Sequence, residues 1–225
     1  MNIKLKKREI ALVAVVICVI MAVLDGVLMV NYFVKSAIKL ALFLAAPLIY
    51  SAMRKNADTK SFFKVDKKSM RMALVLCIPV YFIILGGYLI FCNIFDFSGI
   101  TRSLTDNIGV SKGNFLFVSL YISFVNSLLE EFFFRGFCFL TFKNHISEVE
   151  ASLFSALLFA LYHVAMMIGW FSVSVFAITL TGLFAGGIIF NYLDKKTGTL
   201  YPSWFVHMFA NFAINTIGFM LFGII

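Results

Sequence analysis

Residues 113–142 read GNFLFVSLYISFVNSLLEEFFFRGFCFLTF, thirty residues in which the only charges are Glu130, Glu131 and Arg135, set close together. A helix needs about 20 residues, at 1.5 Å each, to cross the hydrocarbon core of a bilayer, and this run is longer than that. The stretch predicts a membrane span that carries three charges inside it. An ionisable group at such depth costs several kcal/mol unless something offsets it, so the charges mark a candidate functional site.

The rest of the chain agrees with a bilayer as solvent. Of its 225 residues, 62% are apolar and 13% charged, and the mean hydropathy is +0.98. Soluble domains are roughly half apolar and a quarter charged, so this composition excludes a soluble globular fold. The length allows roughly six to eight crossings with short loops. Apolar runs separated by polar breaks predict an all-α, polytopic bundle of seven spans at 10–33, 36–53, 70–95, 113–142, 151–168, 171–193 and 200–224, with eight possible. Short loops are expected throughout, leaving no room for a soluble domain. Two parts are expected: N-terminal spans over 1–112, with a basic cytoplasmic loop at 54–71, and a core over 113–225 that holds the buried charges of the fourth span.

Charge placement sets the expected orientation. With a cytoplasmic N-terminus, the inside segments hold Lys4, Lys6, Lys7, Arg8, Arg54, Lys55, Lys60, Lys64, Lys67, Lys68, Arg71, Arg135, Lys143, Lys195 and Lys196, fifteen of the nineteen basic residues. Lys35, Lys39, Arg102 and Lys112 fall outside, so the positive-inside rule gives an N-in, C-out chain. The +8 net charge lies beside apolar runs and forms no continuous basic face, which argues for lipid headgroups and against nucleic acid. Met1 to Arg8 followed by an apolar stretch looks superficially like a signal peptide. The stretch is too long and lacks a small-residue cleavage site, so a retained first span is expected. Cys18, Cys77, Cys92 and Cys138 stand singly in apolar segments, with neither disulfide nor zinc-site spacing, and read as small core residues.

The ionisable groups expected inside spans are Asp25, Glu130, Glu131, Arg135, His163 and His207, while His145 falls in a break where a solvated histidine is ordinary. Glu131 and Arg135 are four apart and share a helical face, which predicts an ion pair. Glu130 is rotated about 100° from Glu131, so Arg135 cannot serve both, and an unpaired carboxylate is expected there. His207 and Asn211 share a face of the last span, and Asn215 continues it. A lone intramembrane histidine usually serves as a hydrogen-bonding group between helices; two of them plus a carboxylate, on three helices, point to chemistry. Counting from the expected cytoplasmic helix ends, Glu130 and His163 lie about 18 Å deep, Asn211 about 16 Å and His207 about 10 Å, close enough to meet in one layer.

These residues resemble the CAAX-protease and bacteriocin-processing (CPBP, or Abi) family of intramembrane proteases. EExxxR at Glu130, Glu131 and Arg135, FxxxH at Phe159 and His163, and HxxxN at His207 and Asn211 follow the family's order. Gly182 to Asn211, including the turn Lys196-Thr197-Gly198-Thr199-Leu200-Tyr201-Pro202, looks like the family as well. The resemblance covers about 113–215. One departure is the span count, because the prenyl-protein endopeptidases of the family have eight helices and seven are counted here.

Hydrolysis without a nucleophilic side chain needs a base to activate water and donors for the oxyanion. Glu130 is the expected base, since a carboxylate taken out of water becomes a better proton acceptor. His163 would hold and polarise the water, and His207 with the Asn211 amide would donate to the oxyanion, as the resemblance also implies. Glu131 and Arg135 are expected to support the fourth span. No cofactor is required by this scheme; a divalent metal such as zinc, held by Glu130, His163 and His207, is the alternative, although HExxH is lacking. The resemblance implies a peptide substrate, either a prenylated CAAX-type tail or a bacterial peptide precursor. The composition suggests a bacterial plasma membrane, with the site opening towards the cytoplasm. Two other classes share these residues: a non-catalytic bacteriocin-immunity or scaffold protein, and a proton or ion pathway. The intact set of base, water-holding histidine and amide favours the enzyme, and paired repeats expected of a transporter are not apparent.

Overall fold

The computed structural model describes residues 3–28, 30–54, 59–65 and 67–225; Met1 and Lys55, named above, lie outside the described residues. Among the described residues the structure is an all-helical bundle, and seven helices are long and apolar enough to cross a membrane. The first span is α1 (Ile3–Gly26). The second, α2, runs on through Tyr32–Leu40, a π turn Ala41–Ala45 and Ala46–Arg54. Then come α3 (Lys67–Phe91) and a short helix α4 (Ser98–Ile108). The fourth span, α5, is one rod built from Phe115–Tyr121, Ile122–Asn126, Ser127–Glu130 and Glu131–Thr141. It is followed by α6 (Glu148–Met167), α7 (Val173–Thr197) and α8 (Tyr201–Leu221).

The seven expected spans are borne out as seven long apolar helices among the described residues; six have both ends within four residues of expectation, whereas the first ends at Gly26 and not at 33, which lies inside the second helix. The expectation of short loops throughout is not borne out. Between the third and fourth spans lies α4, whose eleven residues reach about 16 Å, too short to cross a bilayer. Gly109 ends α4 at φ 72°, a left-handed conformation that costs glycine nothing.

Local signals account for several boundaries. Ser147 and Glu150 form a reciprocal capping box at the start of α6: the Ser147 hydroxyl accepts the Glu150 N–H at 3.3 Å, and the Glu150 carboxylate accepts the Ser147 N–H at 3.0 Å. Asn31 caps α2 by accepting the Val34 N–H at 3.0 Å. Gly198, at φ 73°, closes α7, and Pro202 opens α8.

The fourth span is the central element. Half of its apolar window is buried, against 6% for the third span, which places α3 at the periphery, packed along α8. From α2, Phe43 stacks on Phe133 with ring centroids 4.4 Å apart and meets Tyr162 of α6 at 5.4 Å. From the loop after α2, Phe62 lies against Gly136, where a Cβ would stand 3.2 Å from its ring, and its carbonyl accepts the Leu200 N–H at 2.9 Å. Outward-facing side chains such as Leu12, Phe82, Phe117 and Val173 are exposed and apolar. In water they would form a large unprotected apolar surface; in a bilayer they meet lipid.

Candidate active site

The peptide geometry of α5 differs from the plain α-helix read from the sequence. Ile122–Asn126 and Glu131–Thr141 are π-helical, flanking the single α turn that ends in Glu130. Such widening recurs at functional sites because it re-aims side chains on a continuous helix. The Thr141 hydroxyl donates to the Gly136 carbonyl, five residues back, at 2.9 Å. The Ser127 hydroxyl donates to the Ser123 carbonyl.

Glu130, His163 and His207 come together. Glu130 Oε2 faces His207 Nε2 at 3.7 Å and His163 Nε2 at 3.9 Å. The other nitrogen of each ring is engaged: His163 Nδ1 lies 2.7 Å from the Phe159 carbonyl, and His207 Nδ1 lies 2.8 Å from Glu131 Oε1. A carbonyl and a carboxylate oxygen are acceptors, so both Nδ1 atoms carry hydrogen. The Phe159–His163 spacing of four residues is what permits the first contact. His163 is 12% exposed at its side chain and Glu130 3%, so the imidazole is the more accessible member.

The expected unpaired carboxylate is a correction. Glu130 Oε1 accepts from Lys39 Nζ at 2.5 Å and from the Asn126 amide at 3.0 Å, and Lys39 also donates to Asn126 Oδ1 at 2.5 Å. Lys39 and Lys35 were placed among the outside basic residues; both are instead buried on α2, and Lys35 pairs with Asp25 at 2.6 Å. Burial without a counter-ion therefore does not describe Glu130.

The expected pair of Glu131 and Arg135 is present, with Nε to Oε2 at 3.2 Å and both side chains fully buried. The two are poorly aligned, and none of the guanidinium nitrogens has a hydrogen-bond acceptor among the described residues. Aromatic faces enclose the cation instead: its carbon is 4.2 Å from the Phe159 ring centroid and 5.0 Å from that of Phe190. Phe190 also stacks on His207, at 5.5 Å. Glu131 thus has two partners, His207 and Arg135, and joins the reaction layer to its support.

Asn211 is placed on the same face of α8 as His207, and its amide donates to the Ile122 carbonyl at 3.2 Å. One amide N–H remains for another acceptor. Asn215, a turn further on, donates to the Ser119 carbonyl at 3.1 Å and to the Ser123 hydroxyl at 3.0 Å. The stripe His207, Asn211, Asn215 therefore fixes α8 against α5 along three turns.

Three polar residues of this layer escaped the sequence reading as participants. Lys39 and Asn126 are two; the third is Asp194 on α7, fully buried, which receives the Ser203 N–H at 3.1 Å and the Ser203 hydroxyl at 2.7 Å. This caps α8 from a neighbouring helix and seats the His207 helix. His145 also differs from its expectation: its Nε2 is buried without a hydrogen-bond partner among the described residues, and desolvation, then the charge of Lys6, lowers its pKa below the ordinary histidine value.

A carboxylate and two imidazoles enclosed within a polytopic helical bundle mark a candidate functional site within the apolar layer. Residues 112–213 match the family model described as type II CAAX prenyl endopeptidase Rce1-like. The matched segment carries all three motifs and supports the resemblance to the CPBP family of CAAX-type intramembrane proteases. No curated protein and no solved structure matches the chain.

Proposed function

We propose that the chain is an intramembrane endopeptidase in which Glu130 activates a water for attack on a peptide carbonyl. One observation carries this reading: the two oxygens of Glu130 face different tasks. Oε1 is held by Lys39 and Asn126, whereas Oε2 faces two imidazole nitrogens at 3.7 and 3.9 Å. Those separations are too long for direct hydrogen bonds and suit a water bridging the three atoms.

In this scheme the water oxygen attacks the carbonyl carbon while Glu130 Oε2 takes its proton, and His163 Nε2 accepts the water's other hydrogen bond. The free N–H of the Asn211 amide donates to the oxyanion. For His207 to donate alongside it, the ring must carry both protons, because Nδ1–H is already directed at Glu131 and the water's two hydrogens are committed to Glu130 and His163. As the tetrahedral intermediate collapses, Glu130 returns the proton to the leaving amine, and the carboxylate is restored. Glu131, Arg135 and the Phe159 and Phe190 rings hold the layer in place.

The same Nε2 atoms are presented as a metal would take them. Against that, Glu130 already has an ammonium partner, and no group of three or more His, Cys, Asp or Glu side chains among the described residues is disposed to hold an ion. A zinc ligand set of Glu130, His163 and His207 fits this arrangement poorly, and no step is assigned to a metal.

The substrate class follows from the family: a peptide with a lipidated, CAAX-type tail, or a bacterial peptide precursor, reaching the site through lipid. Purified protein in detergent, given a fluorogenic farnesylated CAAX peptide, should cleave it, retain the activity after exhaustive chelation, and lose it in Glu130→Gln. Cleavage by Glu130→Gln at the wild-type rate would remove the base assignment. Folded wild-type protein that leaves both substrate classes intact would favour the immunity or scaffold reading. Stoichiometric zinc whose removal and return abolish and restore turnover would recast the three residues as ligands.

A further inference from the structure

We propose that Lys39, on the second span and outside the segment 112–213 that carries the family match, is a positioning residue of the reaction centre. Resting on the endopeptidase reading, this assigns to the N-terminal spans a direct part in orienting the base.

The geometry is specific. Lys39 Nζ donates to Glu130 Oε1 at 2.5 Å and to Asn126 Oδ1 at 2.5 Å, while the Asn126 amide donates to the same Glu130 oxygen at 3.0 Å. The three groups form a closed triangle that occupies one carboxylate oxygen and fixes rotation of the carboxylate. With Oε1 held, Oε2 is turned to His163 and His207. The ammonium is itself confined: its nitrogen lies 5.1 Å from the Phe43 ring centroid and 5.0 Å from that of Tyr162, and the residue is 4% exposed. Tyr162 directly precedes His163, so the aromatic wall beside the ammonium belongs to the helix that carries one of the imidazoles.

Charge adds a second argument. Within the bundle interior Lys39 neutralises Glu130 as Lys35 neutralises Asp25, at 2.5 and 2.6 Å. Both lysines are on α2, four residues apart and on one face. A carboxylate left alone in this setting would turn towards whatever donor it could reach, including His163 and His207, and the reactive water would lose its place. A positional error of about 1 Å at a reacting group can cost 10²-fold in rate, which sets the scale of the expected effect.

The test uses the full-length protein in detergent and follows folded yield, kcat and KM with the farnesylated peptide. Lys39→Met keeps the length and apolar stem of the side chain and removes the charge. It should fold, bind peptide with KM within about twofold of wild type, and lose kcat by about 10²-fold. Lys39→Ala should lose kcat similarly and regain part of it on adding ethylammonium, a small cation that can enter the space vacated beside Phe43 and Tyr162. Rescue would not follow from a purely structural role. Wild-type kcat per folded molecule in Lys39→Met, or no response of Lys39→Ala to the cation, would overturn the assignment. Should wild type itself not cleave, the endopeptidase reading fails, and the Lys39 contact is judged by melting temperature instead: Lys39→Met should lower it, and adding Glu130→Gln should recover most of the loss. A double variant no more stable than Lys39→Met would overturn the pairing as well.

Discussion

Glu130 and Glu131 are adjacent and both buried, yet they face different partners: Lys39, Asn126 and the two Nε2 atoms on one side, His207 Nδ1 and Arg135 on the other. Their substitutions should separate accordingly. Glu130→Gln keeps size but removes the proton acceptor and leaves the Lys39 ammonium without its counter-ion, so turnover per folded molecule should collapse while folded yield falls only in part. His163→Ala should be nearly as severe, because the water loses one of its anchors. Asn211→Ala removes one oxyanion donor, a loss typically worth about 10²–10³ in rate, and should leave measurable activity. Arg135→Ala should act on the fold: it strands the Glu131 carboxylate and removes the cation between Phe159 and Phe190, destabilising by about 3–5 kcal/mol. Size-exclusion yield and cleavage rate per folded molecule, taken on the same samples, separate these outcomes. An Arg135→Ala protein that folds normally and is fully inactive would move the arginine from support to chemistry.

At the scale of elements, the FxxxH and HxxxN motifs were legible because each sits on one helical face. FxxxH lets the Phe159 carbonyl meet His163, and HxxxN lets His207 and Asn211 both address α5. Lys39 was within the expected span 36–53, and a lysine among Leu40, Ala41 and Leu42 was the available signal; counting it with the outer charges hid it. Asp194 fell one residue past the expected end of its span at 193, so its burial could not be read from a hydropathy boundary. The π segments of α2 and α5 have no sequence mark of this kind. Helix contacts give a sharper test. A Cβ on Gly187 of α7 would stand 2.9 Å from Ala156 Cα of α6, whereas one on Gly182 or Gly186 would meet nothing within 4 Å. Gly187→Ala should therefore cost about 1–3 kcal/mol through overpacking. Gly186→Ala, relieved of a flexible residue inside a helix, should be neutral or stabilised by about 0.5–1 kcal/mol. Thermal unfolding in detergent of the two variants, about 1.5 Å of helix rise apart, should give opposite signs; a Gly187→Ala protein as stable as Gly186→Ala would mean that α6 and α7 do not approach closely there.

For the whole molecule, the second span changes how charge encodes orientation. Lys35 and Lys39 are consumed by Asp25 and Glu130 inside the bundle, so they do not count as outer loop charges. Of the four basic residues assigned outside, Arg102 and Lys112 remain to oppose fourteen inside, since Arg135, buried against Glu131, drops out of the fifteen by the same reasoning, and the asymmetry that the positive-inside rule uses becomes stronger. Seven crossings by the apolar helices among the described residues would put the two ends of the bundle on opposite sides. The expected arrangement has Lys60 and Lys67 cytoplasmic and Ile225 extracytoplasmic, with α4 lying along the outer surface. A fluorescent protein that matures only in the cytoplasm should stay dark when fused after Ile225, and a cysteine replacing Lys60 should resist a membrane-impermeant maleimide applied to intact cells. A cysteine replacing Arg102 on α4 should react with the same reagent, because it belongs to the opposite side. Fluorescence at the C-terminal fusion together with a protected Lys60 position would require an even number of crossings, so one of the seven apolar helices would have to re-enter the face it left; α3, the least buried of them, would then be the first to examine, by scanning its length with the same reagent.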